Sequence, residues 1–166
     1  METLLPRIVE VGIPLEYVYF DPLVLTVSGM QEYALQAVET VRFLKQISDP
    51  PPKTIVGLSN VSNGVPREGR SLINCTYLVM LMAAGLDAAI ADPLDKRLWE
   101  FIRIVEERDD TTPLGRLLLR LHDAVASMEG LSPEDVDMED PDQVAIYKTV
   151  QVLENKVIFT DSYLRV

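Results

Sequence analysis

Strand-like apolar runs alternate with helical patterns along most of this chain, and that alternation leaves few architectures open. The run YVYF ends at Asp21, TIVGL ends at Ser59 and Asn60, and DAAIA ends at Asp92. Helical patterns separate them. Ala34, Ala37, Val38, Val41 and Leu44 recur at helical spacing within Gln31 to Gln46. Ser71 to Ala84 reads as a helix that is apolar nearly all round, stopped by Gly85, and Lys96 to Glu107 as another. Thr3 to Val11 reads as a helix stopped by Gly12. Such alternation predicts crossover units and a parallel sheet. Either a doubly wound open sheet or part of a (β/α)8 barrel satisfies it. The TIVGL run is continuous enough to predict burial on both faces.

Beyond Glu107 the pattern changes. EERDDTTP is a polar break, and LGRLLLRLHDAVASM is an amphipathic helix. SPEDVDMEDPDQ is an acidic loop, expected to be solvated. Val144 to Glu154 is a last helix before the tail KVIFTDSYLRV.

The chain has 166 residues and a net charge of -11. That length suits a single core. A surface so acidic is repelled by nucleic-acid phosphate and by anionic membranes, so neither is an expected partner. With one cysteine, Cys75, no internal disulfide can form, which fits a reducing cytoplasmic setting. The N-terminus carries no signal-peptide pattern, and the most apolar stretch is broken by Asn74, Thr76 and Asp87.

Polar residues gather where the strands end. The C-terminal edge of parallel strands is where ligands bind in α/β folds. A carboxylate offers acceptors only, whereas a carboxamide offers both donors and an acceptor. Together they suit a planar heterocycle with N–H edges better than a metal. Each residue also has a local reading. Asp21 before Pro22 fits a turn, Ser59 and Asn60 could bond their own loop, and Asp92 could cap the next helix. The only histidine, His122, lies in the amphipathic helix and reads as surface or interhelix. Cys75 reads as packing, since nothing near it in sequence would lower its pKa.

Taken together, GLSNVSNG and the downstream RSLINCTYLVMLMAAGLDAAIADPLD resemble the pterin-binding methyltransferases. They look most like the methyltetrahydrofolate:corrinoid iron–sulfur protein methyltransferases of the reductive acetyl-CoA pathway. YVYFDPLVL and YKTVQVLENKVIFTDSYL fit the same pattern. The resemblance favours the barrel. It implies that residues 1–166 form one partial domain, the last three strands and helices of a (β/α)8 TIM barrel, with 108–143 as a helical, acidic insertion. It implies that Asp21 hydrogen-bonds the pterin ring and that Asn60 lies near N5, the nitrogen carrying the methyl group. Gly57, Ser59, Asn63, Arg70 and Ile90 fall on positions lining the folate pocket. Two positions depart from the pattern: Asn63 stands where the family has Gln, and Cys75 where it has Arg. Because the loop VPREGR is slightly long, Arg67 competes with Arg70, which is preferred for directly preceding SLIN.

The implied reaction moves a methyl group from 5-methyltetrahydrofolate to the cobalt of a cobalamin-type corrinoid. A corrinoid iron–sulfur protein or similar partner would carry that corrinoid, and this chain would bind no metal itself. A full barrel of this kind takes about 250 residues. The expected complement is a second copy in a homodimer or an N-terminal barrel half. The alternative is a pterin-binding or assembly module that has lost turnover.

Overall fold

The computed structural model describes residues 4–165. Helix α1 (Leu4–Glu10) comes first; Thr3, expected at its start, lies outside the described residues. Strand β1 (Tyr19–Phe20) follows, then the short α2 (Val27–Met30), α3 (Glu32–Leu44) and strand β2 (Lys53–Gly57). Helix α4 (Arg67–Ala83) leads to β3 (Ala88–Ile90) and α5 (Lys96–Glu107). Two further helices, α6 (Pro113–Ala126) and α7 (Pro141–Leu153), complete the chain. The strands form one parallel sheet in the order β1-β2-β3. This mixed α/β arrangement is compatible with part of a (β/α)8 barrel.

Burial alternates along β2. Thr54 and Val56 are fully buried beneath the helices, whereas Lys53, Ile55 and Gly57 are only partly covered. The two-faced burial expected of TIVGL is therefore absent. The face of β2 that carries Thr54 and Val56 is buried, and the face that carries Lys53, Ile55 and Gly57 is more open. Register extends that more open face across all three strands, because partners in a parallel ladder point the same way. Tyr19 pairs with Lys53, Ile55 with Ala88 and Gly57 with Ile90. Tyr19 is 48% exposed and Ile90 68%.

Helix α4 is apolar nearly all round because it is packed nearly all round. It lies against α3, α5, α6 and α7, and it buries Ile73, Tyr77, Val79, Met80 and Leu81. A helix buried on every side needs apolar residues on every side. Its one large polar tip is satisfied, since the Tyr77 hydroxyl donates to the Ala34 carbonyl oxygen at 2.7 Å. Helix α6 packs into this core, burying Leu117, Leu118 and Leu121. The acidic segment after it is largely exposed apart from Leu131, Val136 and Gln143. Gln31, just ahead of α3, pins the C-terminal tail. Its amide donates to the Val157 carbonyl oxygen at 2.8 Å and accepts from the Phe159 N–H at 2.6 Å.

At the N-terminal end of the sheet, Asp87 joins β2, β3 and α3. Its carboxylate accepts from the Thr54 N–H at 2.6 Å, from the Thr54 hydroxyl at 3.0 Å and from the Lys45 ammonium. Partial burial pushes the Asp87 carboxyl up, but the hydrogen bonds from Lys45 and Thr54 outweigh it and hold the pKa below the usual carboxylate range. A depressed pKa stabilises the fold at pH values above the unfolded-state pKa, and the contribution disappears as pH falls through the folded-state pKa. Asp87→Asn is therefore expected to lose about 1 kcal/mol at neutral pH, discounted for partial exposure. The difference from wild type should shrink in strong acid. Urea titrations at the two pH values check this; a gap that is independent of pH would exclude the carboxylate's charge as its source.

Candidate functional site

The C-terminal edge of the sheet carries the candidate site. Asp21 directly follows strand β1, and its Oδ1 accepts from the Leu23 N–H at 2.8 Å. The turn reading of Asp21 is thus correct for one carboxylate oxygen, and the residue is exposed. Leu23 takes a left-handed φ of 62° to close the turn and is 65% exposed. The loop then reaches toward the next strand: the Thr26 hydroxyl donates to the Asn63 carbonyl oxygen and accepts from the Ser28 N–H at 3.1 Å. Two consecutive strand exits are therefore tied together.

After β2 the chain makes a 3-10 turn over Leu58–Ser62. Leu58 and Val61 are buried and anchor the turn, which leaves Ser59 and Asn60 exposed between them. Among the described residues, neither the Ser59 nor the Asn60 side chain bonds to the loop's own backbone. The loop is held by other groups. The Asn63 N–H donates to the Asn60 carbonyl oxygen at 3.1 Å, and the Ser62 hydroxyl to the Ser59 carbonyl oxygen at 3.3 Å. The local explanation for Ser59 and Asn60 side chains accordingly fails here.

Gly57 seats Asn60. A Cβ on Gly57 would lie 3.0 Å from Asn60 Nδ2. The missing side chain lets the amide fold back over the end of β2. Gly57→Ala is expected to displace that amide while leaving stability unchanged or slightly raised, because Ala restricts the unfolded chain and suits this negative φ. The Asn60 side-chain NMR resonance and the melting midpoint report the two effects separately. An unmoved resonance would show that the loop has room after all.

Helix α4 starts at Arg67, four residues before the expected Ser71, so Arg67 and Arg70 both lie in its first turn. Arg70 Nε donates to the Val65 carbonyl oxygen at 2.7 Å, which fixes the guanidinium beside the loop. Ser59, Asn60, Asn63 and Arg70 share one groove of about 570 Å³. Asp21 and Ile90 sit on the same sheet edge outside that groove, and Gly57 lies beneath Asn60.

The groove's far wall comes from the β3 exit. Asp92 makes a turn, its Oδ1 accepting from the Leu94 N–H at 2.9 Å. The helix cap expected of Asp92 belongs to Asp95, whose Oδ1 accepts from the Arg97 and Leu98 N–H groups at 3.0 and 3.4 Å. Sequence reading of the site passed over Ser71, Asn74 and Asp95. Asn74 carried a findable signal: it stands one helical turn after Arg70, at the i, i+4 spacing that puts two residues on one face.

Two polar groups are chemically quiet. Cys75 is fully buried, and burial followed by the charge of Asp95 pushes its thiol up to about 12, so no thiolate forms at neutral pH. His122 Nδ1 lies 3.1 Å from the Asp123 carboxylate, which Arg108 grips with two bonds of 2.6 Å. No group of three or more His, Cys, Asp or Glu side chains is placed to hold a metal among the described residues. Within the same residues, no helix is long and apolar enough to cross a membrane.

An exposed amide held over the end of a central parallel strand, in a polar groove of ligand size, is the arrangement to compare with known proteins. The chain is similar to a segment of methionine synthase. It is 28% identical over 132 residues to the methionine synthase of Mycobacterium tuberculosis (strain ATCC 25618 / H37Rv), covering 70% of this chain and 11% of that protein. It is 29% identical over 100 residues to the methionine synthase of Mycobacterium leprae (strain TN), covering 58% of this chain and 8% of that protein. The chain thus spans about a tenth of the length of these curated relatives. No profile of a known protein family matches it.

Proposed function

We propose that this chain supplies the C-terminal half of a pterin site that passes the methyl group of 5-methyltetrahydrofolate to the cobalt of a corrinoid protein. The observation that carries the reading is Asn60, exposed and seated over Gly57 at the C-terminal edge of β2. The similarity to methionine synthases supports a methyltransferase in general. The corrinoid iron–sulfur protein as partner rests on the motif resemblance alone.

The chemistry follows from the leaving group. A tertiary amine leaves poorly, so positive charge must build on N5 before the N5–methyl bond breaks. The Asn60 amide donates toward N5 and favours its protonated form, with the proton arriving through water. That is electrostatic stabilisation of the transition state by a fixed dipole. The methyl group departs for the partner's reduced cobalt, whose electron pair forms the new bond. The electron pair of the broken bond stays on N5. Asp21, with one carboxylate oxygen committed to Leu23, offers the other to a ring N–H. Ser59, Asn63, Arg70 and Ile90 complete this side of the pocket. The exposed loop side chains of Ser59, Asn60 and Asn63 carry no charge, and the groove walls beside them carry Arg67, Arg70, Asp92 and Asp95.

The outer edges of β1 and β3 are where the remaining strands of a closed barrel would pair. With half the ring contacts missing, the isolated chain is expected to bind 5-methyltetrahydrofolate weakly and to methylate no cobalt. Side-chain amide NMR during a 5-methyltetrahydrofolate titration should move the Asn60 and Asn63 resonances. Resonances that stay fixed at saturating ligand would remove the pterin reading. Cobalt methylation by the chain alone, seen in corrinoid absorbance, would remove the half-site reading.

A further inference from the structure

The Asn60 side chain bonds nothing in its own loop, so its place over Gly57 is set by the backbone that carries it. That backbone is held from a different loop. The Asn63 N–H donates to the Asn60 carbonyl oxygen at 3.1 Å and closes the 3-10 turn. The Asn63 carbonyl oxygen in turn accepts from the hydroxyl of Thr26, 37 residues earlier in the chain. The same hydroxyl oxygen accepts from the Ser28 N–H at 3.1 Å, which leaves its single proton for Asn63. The loop that carries Thr26 is itself anchored, because Val24 and Val27 on either side are buried in the core. The two loops also meet at Gly64, which has a φ of 81°: a Cβ there would lie 3.4 Å from Ser28 Cβ and Oγ. Thr26 does not line the groove that Asn60 shares with Asn63 and Arg70, so it acts on that groove from outside.

We propose that Thr26 is a positioning residue: through the Asn63 carbonyl oxygen, its hydroxyl fixes the turn that holds the Asn60 amide at the end of β2. The consequence for catalysis rests on the reading of Asn60 as the group acting on N5, and adds a residue outside the groove on which that action depends. Asp21 opens the loop that Thr26 closes. The bond therefore couples the two strand exits whose side chains the pterin reading sets against one ring. A turn released at this end would keep its donor but misaim it, and a misplacement of about 1 Å can cost as much as 10²-fold in rate. The loss falls on rate more than on affinity, because the amide is needed most where charge develops.

Three substitutions separate the two bonds of this hydroxyl. Thr26→Val removes both. Thr26→Asp keeps an acceptor for the Ser28 N–H and loses the donor. Thr26→Ser keeps both. In the full chain without ligand, the Asn60 side-chain amide resonances should move in the first two variants and hold their wild-type positions in the third. Hydrogen exchange at the Asn63 N–H should rise about tenfold in the same two, the effect of losing one hydrogen bond. In the completed barrel, single-turnover cobalt methylation should fall about tenfold for those two, with 5-methyltetrahydrofolate affinity nearly unchanged, and recover with Thr26→Ser. Thr26 is only half-buried, so the variants are expected to fold, and either of the first two carries the test if the other does not. A purely structural role would lower the melting midpoint without moving Asn60, and that result would overturn the proposal. So would Thr26→Asp matching wild type, which would leave helix capping as the hydroxyl's only task. The ligand-free spectra do not depend on the pterin reading. If they move as expected while Asn60→Ala leaves turnover intact, the positioning stands and the role of Asn60 at N5 fails.

Discussion

Asn60→Ala is expected to lower methyl transfer by about 10² to 10³-fold, the usual cost of removing one preorganised donor aimed at a transition-state charge. The measurement is single-turnover cobalt absorbance in a barrel completed by the remaining strands. Affinity for 5-methyltetrahydrofolate should fall much less, because the ground-state N5 bears no full charge and gains little from the amide. Folding should be untouched, since the side chain is exposed and bonds nothing in its own loop. The split between rate and affinity decides the matter. Turnover that survives the substitution would sink Asn60 as the group acting on N5. A folate-binding protein whose cellular role is indifferent to the change would be the assembly module instead.

Gly115→Ala is the substitution with the largest expected effect on stability. A Cβ at this position would sit inside contact distance of the Asp109 carbonyl oxygen and 3.2 Å from Thr112 Oγ1. Both belong to the turn that starts α6: Thr112 caps the helix by accepting from the Gly115 N–H at 2.9 Å, and Asp109 is bound by Arg103 at 2.9 Å. A backbone oxygen cannot rotate away as a side chain would, so the turn or the whole helix must shift. Alanine's better helix propensity recovers at most about 1 kcal/mol. Overpacking of this kind costs about 1–3 kcal/mol and occasionally more. A net loss of about 2 kcal/mol, read from urea unfolding, is expected. The loss would spread beyond α6, because Leu117, Leu118 and Leu121 pack into the core that backs α4. An unchanged midpoint would mean that the Asp109 turn yields freely.

The alternating strand and helix pattern carried the order of elements because each is short and locally encoded. Ala34, Ala37, Val38, Val41 and Leu44 are buried as their spacing predicts, and Gly12 and Gly85 end their helices with φ of 74° and 96°. Lys96–Glu107 matches its expected bounds because Asp95 caps it and Arg108 closes it. The gathering of Asp21, Ser59, Asn60 and Asp92 at one end of the sheet was legible too, since strand direction alone determines it. Boundaries set by tertiary contact were less so. Helix α4 begins at Arg67 because Val65 and the Arg70 bond fix the turn before it, a contact that no local periodicity encodes.

Residue types, their periods and the polar ends of the apolar runs are properties of the chain itself, and they determined the parallel α/β class and the candidate edge on which Asn60 lies; the role given to Asn60 came from the family resemblance. Which groups share a groove depended on how elements distant in sequence pack. Only the tertiary structure separated Asp95 from Asp92 as the helix cap, made Gly57 the seat of Asn60, and left Asn74 Oδ1 buried without a donor. The more open face of β2 was likewise invisible in TIVGL. An apolar strand reads the same whether its second face is covered or waiting, because burial is a relation between elements and not a property of one of them.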